Sequence, residues 1–246
     1  MALDCDIVLA ADITLEIEEQ LFALMQRCYH NVNREQFTRD LREKDRVIFL
    51  RDTQTFDLVG FSTQVLFMQT YRDSTVRIMF SGDTVIAPAW WGSMQLPLAF
   101  GRMMLEELDA EPANPLYWLL TTKGHRTYRY LPVFFKQFYP ASGRTMPDHI
   151  RKIVSDVATS RFGRKFDAQR GLLIADDGDQ CLRPEIARVP GARLRRDPHI
   201  RYFLERNPNY ERGDELVCLV PFTRNNLRPY IRRELDRERD VDHCSV

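Results

Sequence analysis

The sequence predicts an α/β protein in which helices flank a mixed, mostly antiparallel central sheet. Strand-like segments follow one another at residues 46–51, 58–70 and 75–86 with only short turns between them, as in an antiparallel meander. Segments with helical spacing of apolar residues precede and follow this meander. The apolar segment Leu116–Thr122 comes after one of these helices, which predicts one parallel crossover and a central strand.

The N-terminal elements are a short strand at residues 6–11 and two helices. Thr14 is expected to cap the first helix and Asn33 the second, since both side chains accept hydrogen bonds from helical N–H groups. The apolar residues of these helices recur on one face: Ile17, Leu21, Leu24, Met25 and Cys28 in the first, Phe37 and Leu41 in the second.

Two helices are predicted on either side of the central strand. The first runs from Ser93 to about Leu108, with an apolar stripe at Leu96, Phe100, Met103 and Met104. The second is expected at Arg126–Phe138, with Pro132 in its first turn or at a bend.

The C-terminal part combines a helix at Pro147–Ser160, a loop-rich stretch at Gly171–Ala192, a strand at Glu215–Phe222 and a helix at Asn225–Arg237. Residues 188–206 contain six arginines. We expect a core at residues 1–140 and a C-terminal extension at 141–246, whose strand at 215–222 either completes the same sheet or belongs to a second unit.

Composition and residue spacing argue against several classes of function, although they leave room for a local basic patch. Arginine and lysine equal aspartate and glutamate at 35 each, which argues against a dedicated nucleic-acid binder. The chain has no apolar run near the ~18 residues that span a bilayer and no basic start typical of a secretory signal. Five scattered cysteines fit reduced thiols, so we expect a cytoplasmic protein. No metal-ligand spacing occurs, and no metal is expected.

The segment Phe80–Leu96 joins a strand to a helix. The strand ends at Ala87-Pro88, a Trp90-Trp91-Gly92-Ser93 turn follows, and a helical pattern begins. A strand that turns sharply into a helix directs backbone N–H groups at one spot, which suits a phosphate or pyrophosphate. We therefore expect an anion site at this turn.

The element order and this turn resemble the GNAT acyltransferase superfamily over residues 6–139. In that family the strand ends in Val-x-Pro-x-Tyr-Arg-Gly-x-Gly-x-Gly, and the loop amides bind the pyrophosphate of acyl-coenzyme A. The segment Ile86-Ala87-Pro88-Ala89-Trp90 is similar to the approach to that loop, and Gly92 matches its next glycine. Trp91 replaces the arginine, and Met94 and Leu96 replace two small residues.

The resemblance implies an acyl-CoA or phosphopantetheine thioester as co-substrate, with no tightly bound cofactor. It places the donor contacts at Ile86, Trp91, Gly92, Ser93, Met94, Gln95 and Thr122. Large residues in place of glycines favour a donor without a nucleotide, such as the arm of an acyl carrier protein. Trp90 and Trp91 either flank the acyl group or plug a disused nucleotide cleft. The arginines at 188–206 either attract an acidic carrier or are solvated.

Acyl transfer to an amine requires a base, an oxyanion donor and a proton for the thiolate. Gly82 predicts a bulge, beside which Asp83 is either a base or a solvated side chain. The tyrosine acid of the family corresponds to Phe135, which has no proton to donate. The other candidates for acid and base, each of which is otherwise an ordinary structural residue, are His125, Tyr128 and Tyr130.

The sequence therefore predicts an acyltransferase that moves an acyl group from a pantetheine thioester to a small-molecule amine. The alternative is a non-catalytic binding module with a GNAT-like fold and an occluded cofactor cleft. A third interpretation is a hydrolase or isomerase built around His125 and Asp83.

Overall fold

The computed structural model of the chain describes residues 2–72 and 74–243, with side chains described as far as residue 237. Asp73 of the predicted turn and Cys244 lie outside these residues. The strands of the described ranges are β1 Leu3–Leu9, β2 Tyr29–His30, β3 Arg46–Asp52, β4 Leu58–Tyr71, β5 Ser74–Ile86, β6 Leu116–Thr122, β7 Phe166–Asp167, β8 Leu172–Leu173, β9 Cys181–Leu182 and β10 Glu215–Pro221.

The helices of the same ranges lie mostly between β1 and β3, after β5, and in the C-terminal half. They are α1 Leu15–Cys28, α2 Arg34–Arg42, α3 Gln95–Ala110, α4 His125–Tyr128, α5 Tyr130–Phe134, α6 Asp148–Phe162, α7 Pro184–Ala187, α8 Gly191–Arg196, α9 Pro198–Arg206 and α10 Pro229–His243.

Eight strands form one sheet in the order β1-β3-β4-β5-β6-β10-β8-β7, and β2 pairs with β9. Every pairing in the large sheet is antiparallel except that of β5 with β6, which α3 connects as a crossover. The predicted mixed, mostly antiparallel sheet with flanking helices is therefore confirmed. β10 lies between β6 and β8, inside this sheet.

Local signals placed the first two helices correctly. The Thr14 hydroxyl accepts a hydrogen bond from the Ile17 N–H, and the Asn33 side chain accepts one from the Gln36 N–H. The first strand begins earlier than predicted, at Leu3, and ends at Leu9.

The predicted helix at Arg126–Phe138 is wrong. Only α4 and α5 form, and Phe135 already has an extended backbone. The segment that follows pairs with distant parts of the chain instead: Tyr139 exchanges backbone hydrogen bonds with Leu219, and the Asn226 side chain bonds Gln137. These contacts replace the helical hydrogen bonds after α5.

The sheet buries a different set of helices on each face. Side chains alternate across β3, so that Val47 and Phe49 pack with α1 and α2 while Ile48 and Leu50 pack in the core with α3. The core beside α3 also contains residues of α5, α9 and α10. On the face of α1 and α2, a second cluster forms around α6. On this face, the cluster of α1 and α2 and the cluster of α6 are separate, and a gap lies between α2 and α6.

A buried arginine fixes the end of the crossover helix. Arg77 of β5 is 1% exposed, and its guanidinium donates to the carbonyl oxygens of Glu107, Glu111 and Asn114. The positive charge meets the negative end of the α3 dipole and the carbonyls that the helix leaves unpaired. This contact holds the C-terminal end of α3 against β5.

Candidate functional site

Strands β5 and β6 pair with each other for only part of their length. The parallel register runs from Arg77–Leu116 to Ser81–Leu120. Beyond Ser81, β5 continues to Ile86 alongside β4, and β6 continues to Thr122 alongside β10. The two strands therefore splay apart, and their facing edges no longer pair with each other.

A bulge in β5 lies where the splay begins. The register between β4 and β5 shifts between Ser62–Thr84 and Gln64–Ser81, so Gly82 and Asp83 together oppose Thr63. A Cβ atom on Gly82 would lie 2.7 Å from the Thr63 hydroxyl oxygen. The bulge predicted from the glycine is confirmed, and its close packing explains why a glycine is needed there.

The splay opens into a large cleft on the face of α1, α2 and α6. The cleft has a volume of about 860 Å³ and contains charges of both signs. Its charged lining residues are Asp40, Glu43, Lys44, Asp83, Lys123, Arg161, Lys165, Asp179 and Glu215. Apart from Asp83, these residues were missed from the sequence, because they come from segments far apart in the chain.

Asp83 lines this cleft beside the splay. Burial raises the pKa of its carboxyl group, and the charges of Lys123 and Lys44 partly oppose that rise. Asp40 and Glu215 act in the same direction as burial. A carboxylate with a raised pKa is a stronger base than an exposed one, which is the property that a proton acceptor needs.

A narrow apolar pocket lies on the other face of the sheet, between α3, α5 and α10. Its volume is about 40 Å³, and its walls include Phe100, Trp118 and Leu235. The pocket and the cleft share Thr84, Leu120 and Thr127 as lining residues. The splay is thus the place where an apolar pocket and a charged cleft meet.

The turn between β5 and α3 is largely closed on itself. The N–H groups of Trp91, Ser93 and Gln95 donate to oxygens of Pro88, Trp90 and Ser93 respectively. The Trp91 indole donates to the Ile86 carbonyl oxygen at 2.9 Å. Because these amides have partners inside the turn, fewer backbone N–H groups are available to bind an anion than the sequence predicts.

Gly92 and Met94 keep the rest of this turn open to solvent. Gly92 has φ +96, a conformation that favours glycine, and no atom would meet an added Cβ within 4 Å. Met94 is 37% exposed and occupies the N-cap position of α3 without a capping side chain. Pro97 in the first turn of the helix has no N–H to offer a ligand.

An arginine from α4 supplies positive charge next to the turn. The Arg126 guanidinium lies 3.8 Å from the centre of a Trp91 ring and donates to the Ile186 carbonyl oxygen. Burial lowers the pKa of Arg126, and the charge of Arg193 on α8 lowers it further. Arg126 therefore places positive charge beside the turn, with Arg193 near it. The arginines at 188–206 were noted from the sequence, whereas Arg126 was not.

His125 does not share the cleft with Asp83. Its side chain is 1% exposed, and its Nε2 has no hydrogen-bond partner in the described part of the protein. Burial lowers its pKa to about 4, and Arg126, Arg193 and Arg129 contribute to the shift. The imidazole is therefore neutral at pH 7 and lies apart from the cleft lining.

The two candidate tyrosines occupy different environments. Tyr128 is fully buried, and its hydroxyl donates to the Pro140 carbonyl oxygen at 2.9 Å within the aromatic core. Tyr130 lines the apolar pocket, and burial raises its pKa to about 12. Only Tyr130 lies next to the splay.

Thr122 ends β6 at the edge of the cleft. Its hydroxyl oxygen accepts a hydrogen bond from the Gly124 N–H, at 3.0 Å.

Among the described residues, no group of histidine, cysteine or acidic side chains is arranged to hold a metal ion. None of the described helices combines the length and apolar character needed to cross a membrane.

Comparisons with known proteins show low similarity. No protein-family profile and no curated protein sequence matches the chain. A probable N-acyltransferase of unknown function from Enterococcus faecalis has 15% identity over 53% of this chain and 32% of its own, with a TM-score of 0.39. N-myristoyltransferase of Saccharomyces cerevisiae, solved with bound myristoyl-CoA, has 12% identity over 50% of this chain and 30% of its own, with a TM-score of 0.39.

Glucosamine-6-phosphate N-acetyltransferase of Arabidopsis thaliana has 10% identity over 60% of this chain and 96% of its own, with a TM-score of 0.39. The chain thus spans less than a third of the yeast structure and about a third of the bacterial one. The predicted element order is present in this chain, from the meander through the crossover helix to the parallel strand.

Proposed function

We propose that the chain is a GNAT-like acyltransferase that moves an acyl group from a pantetheine thioester to an amine. The observation that supports it best is the splay between β5 and β6, where the apolar pocket and the charged cleft meet. The thioester would come from the pocket side and the amine from the cleft side. Asp83 stands on the cleft side of this junction.

The reaction follows from these positions. Asp83 accepts a proton from the acceptor ammonium group, and the free amine attacks the thioester carbonyl carbon. The new C–N bond forms as the C–S bond breaks, with backbone N–H groups at the splay stabilising the oxyanion. Tyr130, which keeps its proton at neutral pH because its pKa is about 12, supplies a proton to the leaving thiolate. The attacking nitrogen loses its second proton as the amide forms and this proton replaces the one that Tyr130 gave, while Asp83 releases the first proton to solvent.

The turn at Trp91 favours a donor without a nucleotide. Three of its amides are already bonded internally, so Arg126 and Arg193 are the groups best able to meet a single phosphate. The arginines of α8 and α9, including the exposed Arg195 and Arg196, would steer an acidic acyl carrier protein toward this side. Acyl-coenzyme A is the alternative donor.

One observation favours a non-catalytic binding module as the second candidate. The apolar pocket is small because Ile231 and Leu235 of α10 contribute to its wall, and the Trp91 indole closes onto Ile86. In that case the cleft binds a ligand without transfer.

The test compares donors and an Asp83→Asn variant. Purified protein is incubated with acetyl-CoA or an acyl carrier protein and a panel of amines, and mass spectrometry follows the acylated product. We expect Asp83→Asn to lose about 10²- to 10⁴-fold in rate while donor binding is unchanged. Asp148→Asn, which alters a fully exposed aspartate on α6, is the matched control and should keep full activity.

The pH profile gives a second readout. We expect kcat/KM to decrease as the solution is acidified and Asp83 is protonated. Because burial raises the pKa of Asp83, this decrease should begin at a higher pH than it would for an exposed aspartate. Failure of every acyl-CoA and acyl carrier protein to bind, measured by calorimetry, would refute the transferase and leave the binding module.

A further inference from the structure

The cations of the cleft fall into two kinds. Lys123 pairs with Glu215 at 3.0 Å, and Lys165 pairs with Asp179. Lys44 and Arg161 also line the cleft, and no carboxylate of the described residues forms an ion pair with either. A partly buried charge without an ion-pair partner raises the free energy of the folded state. Two such cations in one cleft therefore indicate an anionic ligand.

Lys44 lies beside the bulge. Its Cε is 2.8 Å, and its Nζ 3.6 Å, from the position that a Cβ of Gly82 would take. The ammonium group donates to the Asp40 carbonyl oxygen at 2.7 Å, which uses one of its three protons. No described residue accepts a hydrogen bond from the other two, which can bind a ligand next to Asp83.

Arg161 of α6 is held on an aromatic platform in the same cleft. Its guanidinium carbon lies 4.4 Å from the ring centre of Phe80 and 5.4 Å from that of Phe67. Stacking on two rings orients the planar guanidinium but satisfies none of its N–H donors. Such a fork is suited to bidentate binding of a carboxylate or phosphate.

The two cations act on one region of the cleft. The charge of Arg161 lowers the pKa of Lys44, while Asp83, Asp40 and Glu43 oppose that effect. Asp40 is itself engaged by the Gln36 amide at 2.7 Å. The region therefore has two cations that repel each other, the Asp83 carboxylate at the splay, and the carboxylates of Asp40 and Glu43, neither of which forms an ion pair with a described cation.

We infer that the acceptor is a small amine that also carries an anionic group, with its amine at Asp83 and its carboxylate or phosphate between Lys44 and Arg161. This inference rests on the proposed acyl transfer, because it assigns the acceptor of that reaction. It predicts an amino acid or an aminoalkyl phosphate as substrate. It excludes amines that carry no anionic group.

The test pairs each probe with its neutral analogue. The probes are the twenty protein amino acids with their carboxamides, and phosphoethanolamine with ethanolamine. Binding is measured by saturation-transfer NMR without a donor, and transfer is measured as thiol release from the acyl donor. We expect at least one anionic probe to bind and react, and its neutral analogue to do so about 10- to 100-fold less well.

Variants locate the anionic group. Arg161→Gln and Lys44→Met should raise KM for the anionic probe about 10- to 100-fold with little change in kcat, and should not change KM for the neutral analogue. Arg161→Lys, which keeps the charge but loses the fork, should restore binding in part. Arg151→Gln, on the exposed side of the same helix, is the matched control and should behave as the wild type.

The outcomes separate the two proposals. Equal use of anionic and neutral amines would overturn this inference and leave acyl transfer intact. Absence of transfer with every amine would overturn the proposed function, and loss of anionic-probe binding in Arg161→Gln would then still support the anion site. Absence of binding by every anionic probe would overturn the inference itself.

Discussion

Acidification should destabilise the protein through His125. The imidazole is 1% exposed. Burial, together with the charges of Arg126, Arg193 and Arg129 and against that of Asp197, lowers its pKa from 6.5 to about 4. The folded state therefore binds this proton more weakly than the unfolded state does. The stability that the neutral His125 contributes is fully present above pH 6.5 and is lost as the pH falls from 6.5 toward 4.

The size of the effect follows from the two pKa values. A shift from 6.5 to about 4 corresponds to ~3.4 kcal/mol once the pH lies below both values. Between pH 7.5 and pH 5 the same linkage relation gives a loss of ~2 kcal/mol in the free energy of unfolding. Solvent screens these charges only weakly, because the ring is buried.

The assay is urea denaturation at pH 7.5 and pH 5 for the wild type and for His125→Gln. The variant has no proton to bind at this position, so its loss of stability over that interval should be ~2 kcal/mol smaller. His149→Gln, on an exposed part of α6, is the control and should show the wild-type loss. Equal losses for wild type and His125→Gln would refute the reasoning.

Three further substitutions test other parts of the structure. Tyr128→Phe leaves the buried Pro140 carbonyl without its partner, so it should lower the unfolding free energy by about 1–3 kcal/mol in urea denaturation while kcat stays unchanged. Leu235→Ala, at a residue 1% exposed, should lower the unfolding free energy by about 2–5 kcal/mol in the same measurement. It should also enlarge the apolar pocket, so that longer acyl thioesters react faster relative to acetyl thioesters. Gly82→Ala places a Cβ 2.7 Å from the Thr63 hydroxyl and should abolish transfer without loss of donor binding in calorimetry; wild-type rates would contradict the role of the bulge.

Features set by neighbouring residues could be predicted from the sequence. The caps at Thr14 and Asn33 depend on atoms three residues away, and the bulge depends on Gly82 itself. The splay depends on how two strands far apart in the chain pair with each other, and no local residue pattern indicates it. Asp83 was recognised because it directly follows Gly82 in the sequence.

Contacts between distant segments could not be predicted. His125 looks like a loop residue after β6, but Arg193 and Asp197 lie some seventy positions further along and approach it only in the fold. The same holds for Arg161, which α6 brings onto the Phe80 ring of β5. Hydrophobic periodicity gives the face that a helix buries, and it does not give the strand or helix that it meets.

The position of β10 has a consequence for synthesis on the ribosome. β6 is an apolar strand, and its second neighbour in the sheet is β10, which the ribosome makes about a hundred residues later, a delay of roughly 5–20 s. During that interval the edge of Leu116–Thr122 is open to pairing with other chains. A nascent chain of this protein is therefore most prone to aggregation between those two points, and a fragment ending at residue 140 would keep that exposed edge permanently.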